Sequence, residues 1–143
     1  MTAEQLQSFL EGRGIWTAKC LIADDLYSLP TREWFLGKFA RAFGRLLWAA
    51  KLVAWIQNRF DCDDFARLAA ALAGILHKLS SKQPTGLAVG EFWYQRAGGD
   101  NHAIAVAIVE EAGDWDLVFM EPQTQRELKL TEEEIQSCIA YRF

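Results

Sequence analysis

Several features that classify proteins quickly are missing from this chain. It has three cysteines, Cys20, Cys62 and Cys138, with no CxxC spacing, and their odd number leaves one unpaired in any disulfide scheme. It has only two histidines, His77 and His102. No uncharged apolar run reaches the roughly 20 residues a membrane span needs. The most hydrophobic stretch, Phe35 to Ile56, is interrupted by Lys38, Arg41, Arg45 and Lys51 at helical spacing. That pattern reads as a buried amphipathic helix, so no membrane partner is expected. Positive charge is also scarce: the net charge is −4 and the sequence pI about 5.2, which argues against a nucleic-acid partner. The opening MTAEQLQSFLEGRG is polar rather than a hydrophobic signal region. A reduced, cytoplasmic protein is expected, or one released by a route without an N-terminal signal, such as phage delivery. Repeats and low-complexity segments are absent.

What is present is globular composition, 51% hydrophobic and 24% charged, in 143 residues. That suits one domain, 1-143. Thr2 with Gln5 marks a capping box for a short helix ended by the Gly12–Gly14 pair. Residues 15–30 read as irregular. Thr31 caps a long helix running towards Gln57, bent at Gly37 or Gly44. A second long helix runs from about Asp61 to Ser80. The character then changes to short apolar or alternating runs at Leu87–Arg96, Ala103–Glu110 and Trp115–Glu121, separated by Gly/Asp turns. Thr131 with Glu134 is a second capping box, and Cys138–Phe143 reads as a final strand. Helices first and a meander second predict an α+β fold, with N-terminal helices packed on one face of a C-terminal antiparallel sheet.

Three residues then stand in a suggestive order. Cys62 opens the second long helix, where free N–H groups and the helix dipole lower a thiol pKa. His102 opens the middle strand, and Glu121 ends the next one. A histidine shuttles the thiol proton, and a neighbouring acceptor fixes its ring and tautomer. Gln57, before the helix, or Gln123, after the strand, is placed to donate to an oxyanion. His77 lies deep in a helical pattern and is the poorer candidate. Asp61, Asp63 and Asp64 surround Cys62 and would raise its pKa by repulsion. They are either a helix cap and first-turn acids, or ligands of a bound hard cation that neutralises them.

The runs Asp61-Cys62-Asp63-Asp64-Phe65-Ala66, Asn101-His102-Ala103 and Glu121-Pro122-Gln123-Thr124 resemble the papain-like protease domain that ends a mushroom agglutinin, with related single domains in bacteria and phages. Ala23 to Pro30 also resembles that group's N-terminal stretch. The resemblance implies a papain-like fold, with Cys62 as nucleophile, His102 as its partner and Glu121 in place of papain's Asn. It also implies calcium dependence, which favours the metal reading of Asp63 and Asp64. The expectation is a thiol hydrolase of the cysteine peptidase or amidase type. It would cleave an amide bond in a peptide or peptidoglycan-like substrate, with Ca2+ as cofactor. The alternatives are acyl transfer to an amine, as in transglutaminase-like enzymes, and an inactive binding module that keeps the scaffold and uses its groove for a partner.

Overall fold

The computed structural model of the chain describes residues 1–16, 19–52, 54 and 60–143. Its organising element is a strand made almost wholly of small and branched apolar residues. β5 (Asn101–Glu111) carries AIAVAIV at its centre, and Ala103 to Val109 are fully buried. A continuous apolar run of that kind suits a strand covered on both faces. It pairs antiparallel with β4 (Val89–Gln95) on one side and β6 (Asp114–Glu121) on the other. The β5–β6 hairpin closes with the two residues Ala112 and Gly113, at φ 54° and 91°. Positive φ at both positions gives the turn hand that matches strand twist. β1 (Cys20–Leu21), β8 (Cys138–Arg142) and β7 (Arg126–Leu128) complete a six-stranded sheet in the order β1-β8-β4-β5-β6-β7.

Side chains alternate across this sheet into two cores. On one face Phe92, Tyr94, Ile104, Val106, Ile108, Leu117 and Phe119 meet Leu6 and Leu10 of α1 (Ala3–Gly12). On the other, Val89, Ala105, Ala107, Val118 and Met120 meet α2 (Ala40–Ala49) and α3 (Cys62–Ser80). α3 buries Phe65, Ala66, Ala69 and Ala73, and Phe65, Ala69 and Ala73 share one core with Ala105 and Ala107 of β5. α4 (Glu132–Gln136) is one short turn held by the Thr131–Glu134 capping box. Among the described residues no helix is long and apolar enough to cross a membrane.

The expected fold, papain-like with N-terminal helices packed on a C-terminal antiparallel sheet, is therefore corrected. The sheet is mixed and central, with cores on both faces and an N-terminal strand at one edge. β1 pairs parallel with β8, and β2 (Tyr27–Ser28) pairs parallel with β3 (Gly86–Leu87). Both N-terminal strands lie in the stretch that reads as irregular. Two residues give no periodicity, and their hydrogen bonds go to partners more than 50 residues away. The long helix also differs. Thr31 Oγ1 accepts from the Trp34 N–H at 3.1 Å, and a π-helical turn over Trp34–Phe39 leads into α2. The helix stops at Ala49, because Lys51 adopts φ 58° and the Leu52 N–H returns to the Leu47 carbonyl. Gln57 lies outside the described residues.

Candidate functional site

The β4–β5 connection and the β6–β7 turn stand at one end of the sheet, and the start of α3 comes to that end from the helix layer. Asp61 precedes α3 in extended conformation, at φ −118°, so Cys62 is the first helical residue and half-buried. His102 is the second residue of β5 and 6% exposed. Its Nε2 lies 2.8 Å from Glu121 Oε2, and a carboxylate there fixes Nε2 as the protonated nitrogen, donating to it. Tyr94, cross-strand from His102, sets its ring edge-on at 6.0 Å between centroids. Glu121 also accepts the Gln123 N–H through Oε1 at 3.3 Å, and Arg96 stands 3.9 Å from Oε2. Burial alone would raise the Glu121 pKa. The hydrogen bond and charge of His102, the Gln123 N–H and Arg96 outweigh it and hold the carboxyl below its ordinary value.

Cys62, Arg96, Asp100, Asn101, His102, Glu121 and Gln123 line one open cavity of about 540 Å³. The structure thus brings Cys62, His102, Glu121 and Gln123 together. Among the described residues, no hydrogen bond joins the Cys62 thiol to the His102 ring. Arg96, Asp100 and Asn101 were not singled out from sequence. Their signal was the turn that carries them, since the Arg96 N–H donates to Asp100 and so folds both towards His102. The rim offers donors from Arg96, Asn101 and Gln123 and acceptors from Asp100 and Glu121, a set suited to a ligand rich in hydroxyl or amide groups.

Beside Cys62, one ligand atom each from Asp61, Cys62 and Asp63 lie within 4.8 Å of one another. Sharing a hydrogen bond with Asp61, together with burial and repulsion from Asp61 and Asp64, raises the Asp63 pKa against the pull of Arg67. Arg67 reaches Asp63 at 3.2 Å, Asp64 at 3.6 Å and buried Glu91 at 3.8 Å. One guanidinium therefore serves three carboxylates. Asp64 also accepts the Asp61 N–H at 3.4 Å, as a first-turn acid does. The carboxylate pair of Asp61 and Asp63 fits a hard cation, whereas the thiol between them is a soft donor.

No protein-family model matches the chain, and no curated protein matches it. Several solved structures share its fold, two of which follow. The complex of PSL1a with E64 superposes with a TM-score of 0.75 at 21% identity, over 100% of this chain and 51% of that one. The Polyporus squamosus lectin bound to the human-type influenza-binding epitope Neu5Aca2-6Galb1-4GlcNAc gives a TM-score of 0.66 at 23% identity, over 87% of this chain and 42% of that one. The chain spans about half the length of these structures. At this identity the likeness defines a fold class, a mixed sheet between helices as found in a fungal lectin. The assignment to papain-like proteases is corrected by the likeness of the fold to that of a structure named as a lectin. The expectations of a thiol hydrolase and of a cysteine peptidase or amidase are corrected with it, since the shared fold is that of a structure named as a lectin.

Proposed function

We propose that the chain is a glycan-binding module whose ligand seats in the cavity at the end of the sheet, between Cys62, Arg96, Asp100, Asn101, His102, Glu121 and Gln123. The observation that carries this reading is the rim itself. Donors from Arg96, Asn101 and Gln123 and acceptors from Asp100 and Glu121 line an open cavity, and its His102–Glu121 pair is held by a 2.8 Å hydrogen bond. A pre-ordered polar rim recognises hydroxyl groups without an ordering cost at binding. Support comes from the glycan held by the Polyporus squamosus lectin, whose fold the chain shares. The finer expectation of a peptidoglycan-like partner becomes, in this reading, the saccharide strand of such a polymer.

A hard cation such as Ca2+ belongs to the same proposal, held by Asp61 and Asp63 with Asp64 beside them. It would offset carboxylate repulsion and steady the start of α3. A reducing, cytoplasmic setting accords with free thiols at Cys20, Cys62 and Cys138.

The test is titration calorimetry of the whole chain against neutral oligosaccharides, with E64 as a second ligand followed by intact mass. Saccharide binding lost in Asn101→Ala and Glu121→Ala, with E64 held reversibly, supports the reading. A covalent E64 adduct on Cys62, or turnover of a peptide lost on Cys62→Ala, would overturn it.

A further inference from the structure

The charge of the chain is divided unevenly. Residues 32–51 hold Arg32, Lys38, Arg41, Arg45 and Lys51 against Glu33 alone, so they sum to +4, and with a total of −4 the remainder is −8. Arg32 is engaged by Glu127. Arg41 and Arg45 have no ion-pair partner among the described residues. Both border a second cavity of about 450 Å³ on the outer side of α2, together with Trp48 and Gln125.

That cavity has a constructed shape. Arg41 folds back so that its guanidinium passes over Gly37, 3.7 Å from where a Cβ would stand. At Gly44 a Cβ would meet Gln125 Oε1 at 2.8 Å, so glycine admits the Gln125 amide against the helix. Gln125 is itself fixed at φ 55°, with Nε2 donating to the Pro122 and Gln123 carbonyls at 2.6 and 2.9 Å. Trp48 is 77% exposed, a large indole left in water beside two free guanidinium groups. The turn that gives Gln123 to the first cavity gives Gln125 to this one.

We infer that this cavity is a second subsite of the same binding surface, and that it takes an acidic sugar residue. Arg41 and Arg45 would hold its carboxylate, and Trp48 would stack on the apolar face of its ring. Guanidinium groups match carboxylate geometry, and an exposed aromatic ring offers rigid contact area at small entropic cost. In an acidic molecule a local basic face also raises the encounter rate of an anion. The inference rests on the glycan-binding reading and adds the class of glycan, a uronate-bearing chain long enough to pass the Glu121–Gln125 turn.

The experiment compares an oligogalacturonate with its methyl ester by titration calorimetry on the whole chain, at low and high salt. These probes share one backbone and differ in charge. The acid should bind at least tenfold tighter than the ester, with the advantage shrinking as salt rises. The double variant Arg41→Gln/Arg45→Gln should bring the acid down to the ester, while Trp48→Ala weakens both. All three side chains border open solvent, and circular dichroism checks that the fold is kept. Equal binding of acid and ester by the wild type, or an acid preference that survives the double variant, would overturn the subsite and leave the glycan-binding reading intact. Loss of neutral-saccharide binding by the wild type would instead remove the reading beneath it. Adsorption to phosphatidylserine vesicles through the same arginines, with no preference for the acid sugar, would also overturn the subsite.

Discussion

At the scale of single residues, the His102–Glu121 pair decides most about the first cavity. His102 is buried, and Glu121 is its charged partner at 2.8 Å. Removing that charge leaves a buried imidazole with a weaker acceptor, so Glu121→Gln should cost about 1–3 kcal/mol at neutral pH. The pH dependence follows from the depressed Glu121 pKa. The unfolded chain binds that proton more tightly than the folded one. Stability from this carboxylate is thus complete above the ordinary glutamate value of about 4.3 and is lost as pH falls through the lower folded value. Denaturant unfolding of wild type and variant, compared from pH 7 down to about pH 3, should show the gap closing. A gap that stays constant would mean that the pair contributes packing rather than charge. This pair was legible beforehand because both residues sit on neighbouring strands of one hairpin. Arg96 was not, since its approach to Glu121 depends on the register of β4 against β5. Residue order also led towards thiol chemistry, because a Cys, a His and a Glu in sequence say nothing about what occupies the space between them.

At the scale of elements, α3 packs on the sheet through small side chains. Ala66, Ala69 and Ala73 are wholly buried against a strand that is itself rich in alanine. A larger side chain has nowhere to go there, so Ala69→Leu should destabilise by about 1–3 kcal/mol through overpacking. Leu79 on the same helix is 79% exposed, and Leu79→Ala should stay within about 0.5 kcal/mol. Chemical denaturation of both variants checks the contrast, and a costly Leu79→Ala would mean that something covers that face. A second tight place is Gly90, where a Cβ would stand 1.8 Å from the Arg142 carbonyl oxygen. Backbone cannot yield as a side-chain tip does, so Gly90→Ala should separate β8 from β4 at that point. Faster amide exchange along β8 would report it, and unchanged exchange would show the strand pair sliding to accommodate the methyl. The second long helix, β4, β5 and β6 were readable because each buries a periodic or continuous apolar face. β1, β2 and β7 are two or three residues each, and long-range pairing rather than local pattern creates them. The view of helices on one face alone failed for a different reason. The continuous apolar run AIAVAIV is itself the sign of cover on both faces, and the expected fold left that sign unused.

At the scale of the whole molecule, the distribution of charge sets how stability responds to pH and cations. The start of α3 gathers Asp61, Asp63 and Asp64 near buried Glu91 around the single guanidinium of Arg67. The raised Asp63 pKa means that the folded chain holds this proton more tightly than the unfolded one. The sign is therefore opposite to that of Glu121. Stability falls as pH rises from the ordinary aspartate value of about 3.9 through the higher folded value, and stays lowered above it. A cation seated on Asp61 and Asp63 removes the repulsion, so calcium should restore stability at neutral pH. At ten times its Kd a single site contributes about 1.4 kcal/mol. Thermal unfolding at pH 7 should show a higher Tm with calcium than with chelator, and the difference should fade in acid, where the carboxylates are protonated. Asp63→Asn should raise the Tm in chelator and abolish the calcium response. Its loss of the Arg67 contact works the other way but is half-exposed and worth little. A wild-type Tm indifferent to calcium, alongside an Asp63→Asn Tm above it, would assign the strain to the carboxylates and remove the cation. A calcium response that persists in Asp63→Asn would move the ion to a different set of oxygens.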